Sequence, residues 1–151
     1  MSLLLAPAQA TAAVPEHHQR VATAKAAAIQ CFADADDPDV LTSTSRSIHA
    51  VGRVTGCTSR PDSCRLRVDL EQYNGALGYW TTVAHKDSGW KAGCRRAWWG
   101  GYPFVDTVYH CTHDNDTRWG YRTVIYFDIE DDGDIASDRA QSINNKLFRC
   151  F

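Results

Sequence analysis

No block of basic residues occurs in this 151-residue chain: its 16 lysines and arginines stand singly or in pairs such as Arg95-Arg96, against 18 acidic residues, for a formal net charge of −2. Nonspecific nucleic-acid binding and attraction to an anionic membrane both need concentrated Lys and Arg, so neither partner is expected. No apolar stretch reaches the ~20 residues that a membrane-spanning helix needs. There is no Gly-x-Ser-x-Gly elbow, no Cys-x-x-Cys pair, and no pair of carboxylates on one inward face of the kind a glycosidase uses. No catalytic residue, cofactor or resident metal is therefore assigned.

Cysteine, by contrast, is well represented, with five of the six residues lying between Cys57 and Cys150. The start, Leu3-Leu4-Leu5-Ala6-Pro7-Ala8-Gln9-Ala10, resembles the end of a secretory signal: a short apolar run leads into the small-x-small pattern that signal peptidase cuts. The charged leader of such a signal is missing, since no Lys or Arg precedes Arg20. Residues 1–13 read either as a signal-peptide remnant or as a flexible alanine-rich leader. Behind an export signal, six thiols point to disulfides in an extracellular domain.

Two further zones follow. From Pro15 to Phe32 the chain is alanine-rich, with Val21, Ala24, Ala28 and Cys31 at helical spacing and Pro15 suited to a first turn. This predicts a short N-terminal helix, too short to persist alone and so docked or stapled. Asp34 to Arg46, acidic and then Ser/Thr-rich around Pro38, reads as a linker or surface loop, which completes a helix-and-linker zone over 15–46. The region 47–151 carries strand patterns. In Cys64–Glu71, Cys64, Leu66, Val68 and Leu70 alternate with Arg65, Arg67, Asp69 and Glu71, the mark of a strand with one buried face. Asn74-Gly75 supplies a turn, Tyr79–His85 a second strand, and Asp87-Ser88-Gly89 its end. Phe104–Cys111 places Val105, Thr107, Tyr109 and Cys111 on one face; Tyr121–Glu130 does the same with Tyr121, Thr123, Ile125, Phe127 and Ile129, before a turn at Asp131–Asp134. Ile48–Cys57 and a stretch ending at Cys150 are weaker strands. Strands so spaced predict an all-β fold, an antiparallel β-sandwich stapled by disulfides.

Leu70-Glu71-Gln72, Gly78-Tyr79-Trp80-Thr81-Thr82-Val83-Ala84, Cys111, Gly120-Tyr121-Arg122-Thr123 and the last Cys150 together form a pattern. It is similar to that of small, largely uncharacterised secreted proteins of actinobacteria, and the similarity covers about residues 47–151. The resemblance implies an immunoglobulin-like sandwich and export, and it carries no activity with it. Asp69 stands where that group often has a strand cysteine, while Cys31 and Cys94 are additions to its pattern.

For the cysteines the sequence offers a guess rather than a solution. Cys57 and Cys64 flank a turn-rich connection that could bring them within bridging distance; Cys111 and Cys150 end two strands; Cys31 and Cys94 would then tie the helix to the loop after Trp90.

Three constellations bear on chemistry. His110-Cys111-Thr112-His113 holds two imidazoles that an extended strand points to opposite faces, and it reads as a strand end with a polar loop. Asp128-x-Glu130-x-Asp132-Gly133-Asp134 follows part of a calcium-loop order, but Arg139 stands where the closing Glu belongs, so an acidic hairpin is the expectation. Arg95, Arg96, Trp98, Trp99 and Tyr102, in a glycine-rich loop, are the candidate binding residues. Alternatively Trp98 or Trp99 closes the core. The expected function is a secreted, non-enzymatic binding or interaction module for an extracellular protein or glycan. The alternatives are a carbohydrate-binding module using Trp98, Trp99 and Tyr102, and a small secreted hydrolase using His110 or His113.

Overall fold

The alternation from Cys64 to Glu71 sets the centre of the molecule. A computed structural model describes residues 20–40, 46–97, 100–111 and 115–150, with the backbone course alone at 115–117, 149 and 150. Strands follow one another as β1 (Val21–Ala26), β2 (Ile29–Ala35), β3 (Asp39–Val40), β4 (Ser47–Cys57), β5 (Ser63–Asn74), β6 (Tyr79–Asp87), β7 (Lys91–Ala92), β8 (Phe104–His110), β9 (Asn115–Asp131), β10 (Asp134–Gln141) and β11 (Lys146–Cys150). Among the described residues there is no helix.

Every pairing is antiparallel. One sheet runs β1–β2–β4–β8, with β3 beside β2 on the same edge of β4. The other runs β10–β9–β5–β6, with β11 sharing the β10 edge of β9 and β7 sharing the β6 edge of β5. The two sheets pack face to face as a β-sandwich around one core.

The facing surfaces are unlike. The first sheet presents small residues, Ala22, Ala24, Ala26, Ala33, Ala35 and Ala50; the second presents Leu66, Val68, Leu70, Tyr121, Ile125, Phe127 and Ile129, all buried. Bulk on one face and its lack on the other let the sheets approach closely. At Gly52 the approach is limiting, because a Cβ there would stand 2.7 Å from both Ile125 Cγ2 and Val68 Cγ2.

The described part of the region read as helix and linker belongs to the sandwich. Residues 21–35 form the β1–β2 hairpin, and β3 lies within the stretch read as linker. The domain thus starts ahead of residue 47, while residues 1–19 and 41–45 lie outside the described residues. Alanine is a strong helix former, and its spacing hid a two-residue alternation: Ala22, Ala24 and Ala26, then Cys31, Ala33 and Ala35, are the buried positions. The turn is Ala27-Ala28, with Ala27 at φ 51°, a left-handed position that usually calls for Gly, Asn or Asp. At the next hairpin the positive φ falls on Gly78 (72°) rather than on Asn74-Gly75, and the Asn74 side chain accepts hydrogen bonds from the N–H groups of Ala76 and Leu77, both at 3.1 Å.

The disulfides correct two of the guessed pairings. Cys31 bonds Cys57 and Cys64 bonds Cys94, in place of Cys57–Cys64 and Cys31–Cys94. The reason is register. Cys31 and Cys57 stand directly opposite across β2 and β4, whereas Cys64 is buried at the start of β5, beside β7 and the turn that holds Cys94. Cys111 is also disulfide-bonded. Its guessed partner, the Cys150 side chain, lies outside the described residues. Bonds of this kind persist in oxidising compartments. No described helix is long and apolar enough to cross a membrane.

Candidate functional site

Charged residues on the outer face of β5 pair across the sheet with outward residues of β6 and β9. Arg67, opposite Tyr126 and Asp87, grips Asp69 through two hydrogen bonds of 2.8 and 2.7 Å and lies over the Tyr126 ring at 4.6 Å. Those hydrogen bonds hold the Arg67 guanidinium firmly protonated. Arg65 binds Asp87 at 2.8 and 2.5 Å and thereby holds that carboxyl below its ordinary range. Next along the strand, Glu71 sits opposite Arg122 and accepts from its Nε at 2.6 Å, both side chains nearly buried.

This last pair positions an aromatic. The Arg122 guanidinium lies 4.4 Å from the Trp80 ring centroid, and Trp80 pairs across the hairpin with Tyr73, their rings tilted at 56° and 5.2 Å apart. Where the next side chain should rise from β9, the residue is Gly120, facing Leu147 on β11. A Cβ on Gly120 would be 3.5 Å from Tyr73 Cβ and 3.8 Å from both Leu147 Cδ2 and Trp80 Cη2. Its absence opens a groove of about 600 Å³ between hairpin and terminal strand. The rim carries Asn74, Asn145 and Arg118, and among the described residues Arg118 has no carboxylate partner. An apolar, aromatic-lined cleft of this size with a few polar groups at its mouth is the usual form of a ligand site.

Sequence reasoning missed this site. Tyr73 and Trp80 flank a recognisable turn and were within its reach. Gly120 and Leu147 join them only through the β9–β11 register, which no local pattern reveals.

Of the loop residues singled out from the sequence, Arg95, Arg96 and Tyr102 lie at the other end of β5. Tyr102 is half-buried against the core, and the Arg95 guanidinium stacks on its ring at 4.5 Å while donating to the Gly100 carbonyl at 2.8 Å. Arg96 lies over Phe104 at 4.6 Å. Trp98 and Trp99 lie outside the described residues.

Among the described residues the histidine and acidic motifs do not converge on a reaction centre. Ser47 Oγ and His110 Nδ1 are 2.9 Å apart, but the carboxylate of Asp106 contacts His49 Nδ1 instead, at 3.1 Å. Among the described residues no carboxylate contacts the second ring nitrogen of His110, where the group that orients a hydrolytic histidine would stand. His113 lies outside the described residues. In the acidic hairpin, Asp128 accepts from Ser137 Oγ at 2.6 Å and Glu130 from Ser63 Oγ at 3.0 Å, while Asp132 and Gly133 form the turn at φ 49° and 81°. Among the described residues no three His, Cys, Asp or Glu side chains gather as metal ligands would.

No family model, curated protein or solved structure matches the chain.

Proposed function

We propose that this protein is a secreted binding module that holds a sugar ring of an extracellular glycan in the Tyr73–Trp80–Gly120–Leu147 groove. The observation that carries this reading is the missing side chain at Gly120 beside a braced tryptophan. A pyranose has an apolar face of C–H groups and a rim of hydroxyls. The groove offers the complement, aromatic and aliphatic walls with the amides of Asn74 and Asn145 and the Arg118 guanidinium at the edge. Export, an immunoglobulin-like relationship and an actinobacterial origin belong to the same proposal, supported by disulfides suited to an oxidising compartment and by the two-sheet architecture. A protein partner is the second reading. It is favoured by Leu147, 63% exposed, and by Leu77, 62% exposed in the loop beside Ala76.

The test is a screen of soluble oligosaccharides by tryptophan fluorescence and calorimetry, with Trp80→Ala and Gly120→Leu as controls. Gly120 has no positive φ to protect, so a leucine there fills the groove without straining the backbone. A saccharide whose binding both variants abolish, with melting temperatures near that of the parent, supports the reading. Binding indifferent to Gly120→Leu, or no binding by any saccharide, overturns it in favour of the protein partner.

A further inference from the structure

The other end of β5, roughly 30 Å from the groove at about 3.3 Å per strand residue, carries a depression of opposite character. It has a volume of about 610 Å³ and is lined by Arg60, Lys91, Arg95 and Arg96 beside Trp90, which is 43% exposed. No aspartate or glutamate lines it, and none of the four cations is ion-paired among the described residues. Elsewhere in the structure Arg20, Arg53, Arg65, Arg67 and Arg122 are each ion-paired with a carboxylate. Four like charges around one hollow repel one another, and a bound anion removes that repulsion.

The guanidinium groups are also held in place. Arg95 is fixed by the Tyr102 ring and the Gly100 carbonyl, and Arg96 by the Phe104 ring. Gly93 and Gly101 supply flat backbone for two of them. A Cβ on Gly93 would collide with the Arg60 guanidinium, and one on Gly101 would stand 2.8 Å from Arg96 Nη2. The Cys64–Cys94 disulfide anchors the turn beneath. Arginines packed by their faces keep edge N–H groups for an acceptor, and the planar fork suits the oxygens of a tetrahedral oxyanion.

We propose that this depression binds sulfate or phosphate ester groups, so that the module carries an anion site distinct from, and independent of, the aromatic groove. The two sources share the same tetrahedral chemistry, and competing polymers separate them.

Binding of dextran sulfate, polyphosphate and neutral dextran is measured at low and at near-physiological salt, with inorganic sulfate and phosphate as competitors. Two variants of equal charge change are compared: Arg60→Gln/Arg96→Gln, and Lys25→Gln/Lys146→Gln on exposed positions elsewhere. The expected result is salt-sensitive binding of at least one polyanion, none of neutral dextran, and a loss of at least about tenfold confined to the arginine variant. The preferred polymer names the ester. Equal losses in the two variants would reduce the effect to diffuse charge attraction and overturn the site, as would no polyanion binding at low salt. Thermal melting of both variants excludes unfolding as the cause.

Discussion

Tyr121 shows how much a single side chain couples the two halves of the structure. It is fully buried, accepts a hydrogen bond from Gln72 Nε2 at 3.2 Å, lies 4.0 Å from Cys111 Sγ and packs between Tyr109 and Phe148. Burial, and then the nearby Tyr109 hydroxyl, push its own hydroxyl up to about 12. In the unfolded chain a tyrosine ionises near pH ~10. The folded value is the higher, so the neutral phenol stabilises the fold fully below pH ~10, and this contribution is lost as pH rises from there through about 12. The loss is on the order of 2 kcal/mol. Denaturant titrations at successive alkaline pH values should show it, and Tyr121→Phe should show a flatter decline. Complete ionisation of all six tyrosines near pH ~10 with the fold intact would contradict the assignment.

At the scale of elements, the β1–β2 hairpin depends on what it packs against more than on its own sequence. Its inner residues are mostly alanines, which bury little area each, and its turn places Ala27 in a left-handed conformation. What holds it is the Cys31–Cys57 bridge to β4 and contacts with β10, where the Thr23 amide donates to Asp138 Oδ2 at 2.7 Å. Replacing both cysteines by alanine should cost about 2–4 kcal/mol, with the β1 and β2 amides becoming the fastest-exchanging strand amides under native conditions. Exchange that stays slow there would shift the credit to packing alone. The same hairpin explains where the sequence misleads. Alternation in β5, β8 and β9 was legible because large apolar and charged residues take turns. In β1 and β2 the buried residues are small, and alanine signals helix as readily as strand. The expected Cys57–Cys64 bridge fails for a related reason: it rests on nearness along the chain, whereas bridging follows register between strands, and Cys31–Cys94 falls with it.

For the molecule as a whole, the second sheet acts as a bar with different chemistry at its two ends. At one end the β5–β6 hairpin, Gly120 and Leu147 make the aromatic groove; at the other, the turn around Cys94 gathers Arg60, Arg95 and Arg96. Arg95, Arg96 and Tyr102 were legible as a cluster, because they are neighbours in sequence. Their separation from the stronger groove was not, because it is set by which end of β5 each loop caps.

The loop at Gly75–Gly78, next to the groove and bearing the exposed Leu77, lies between Cys64 and Cys94 in the chain and therefore inside the covalent ring that they close. A protease that cuts this loop releases nothing. The nicked protein should migrate as one species without reductant and as two fragments with it, and the two walls supplied by Tyr73 and Trp80 should stay tethered. A module so built tolerates an enzyme-rich setting at this exposed loop, and its lifetime there is set by the reducing power of the surroundings as much as by proteolysis.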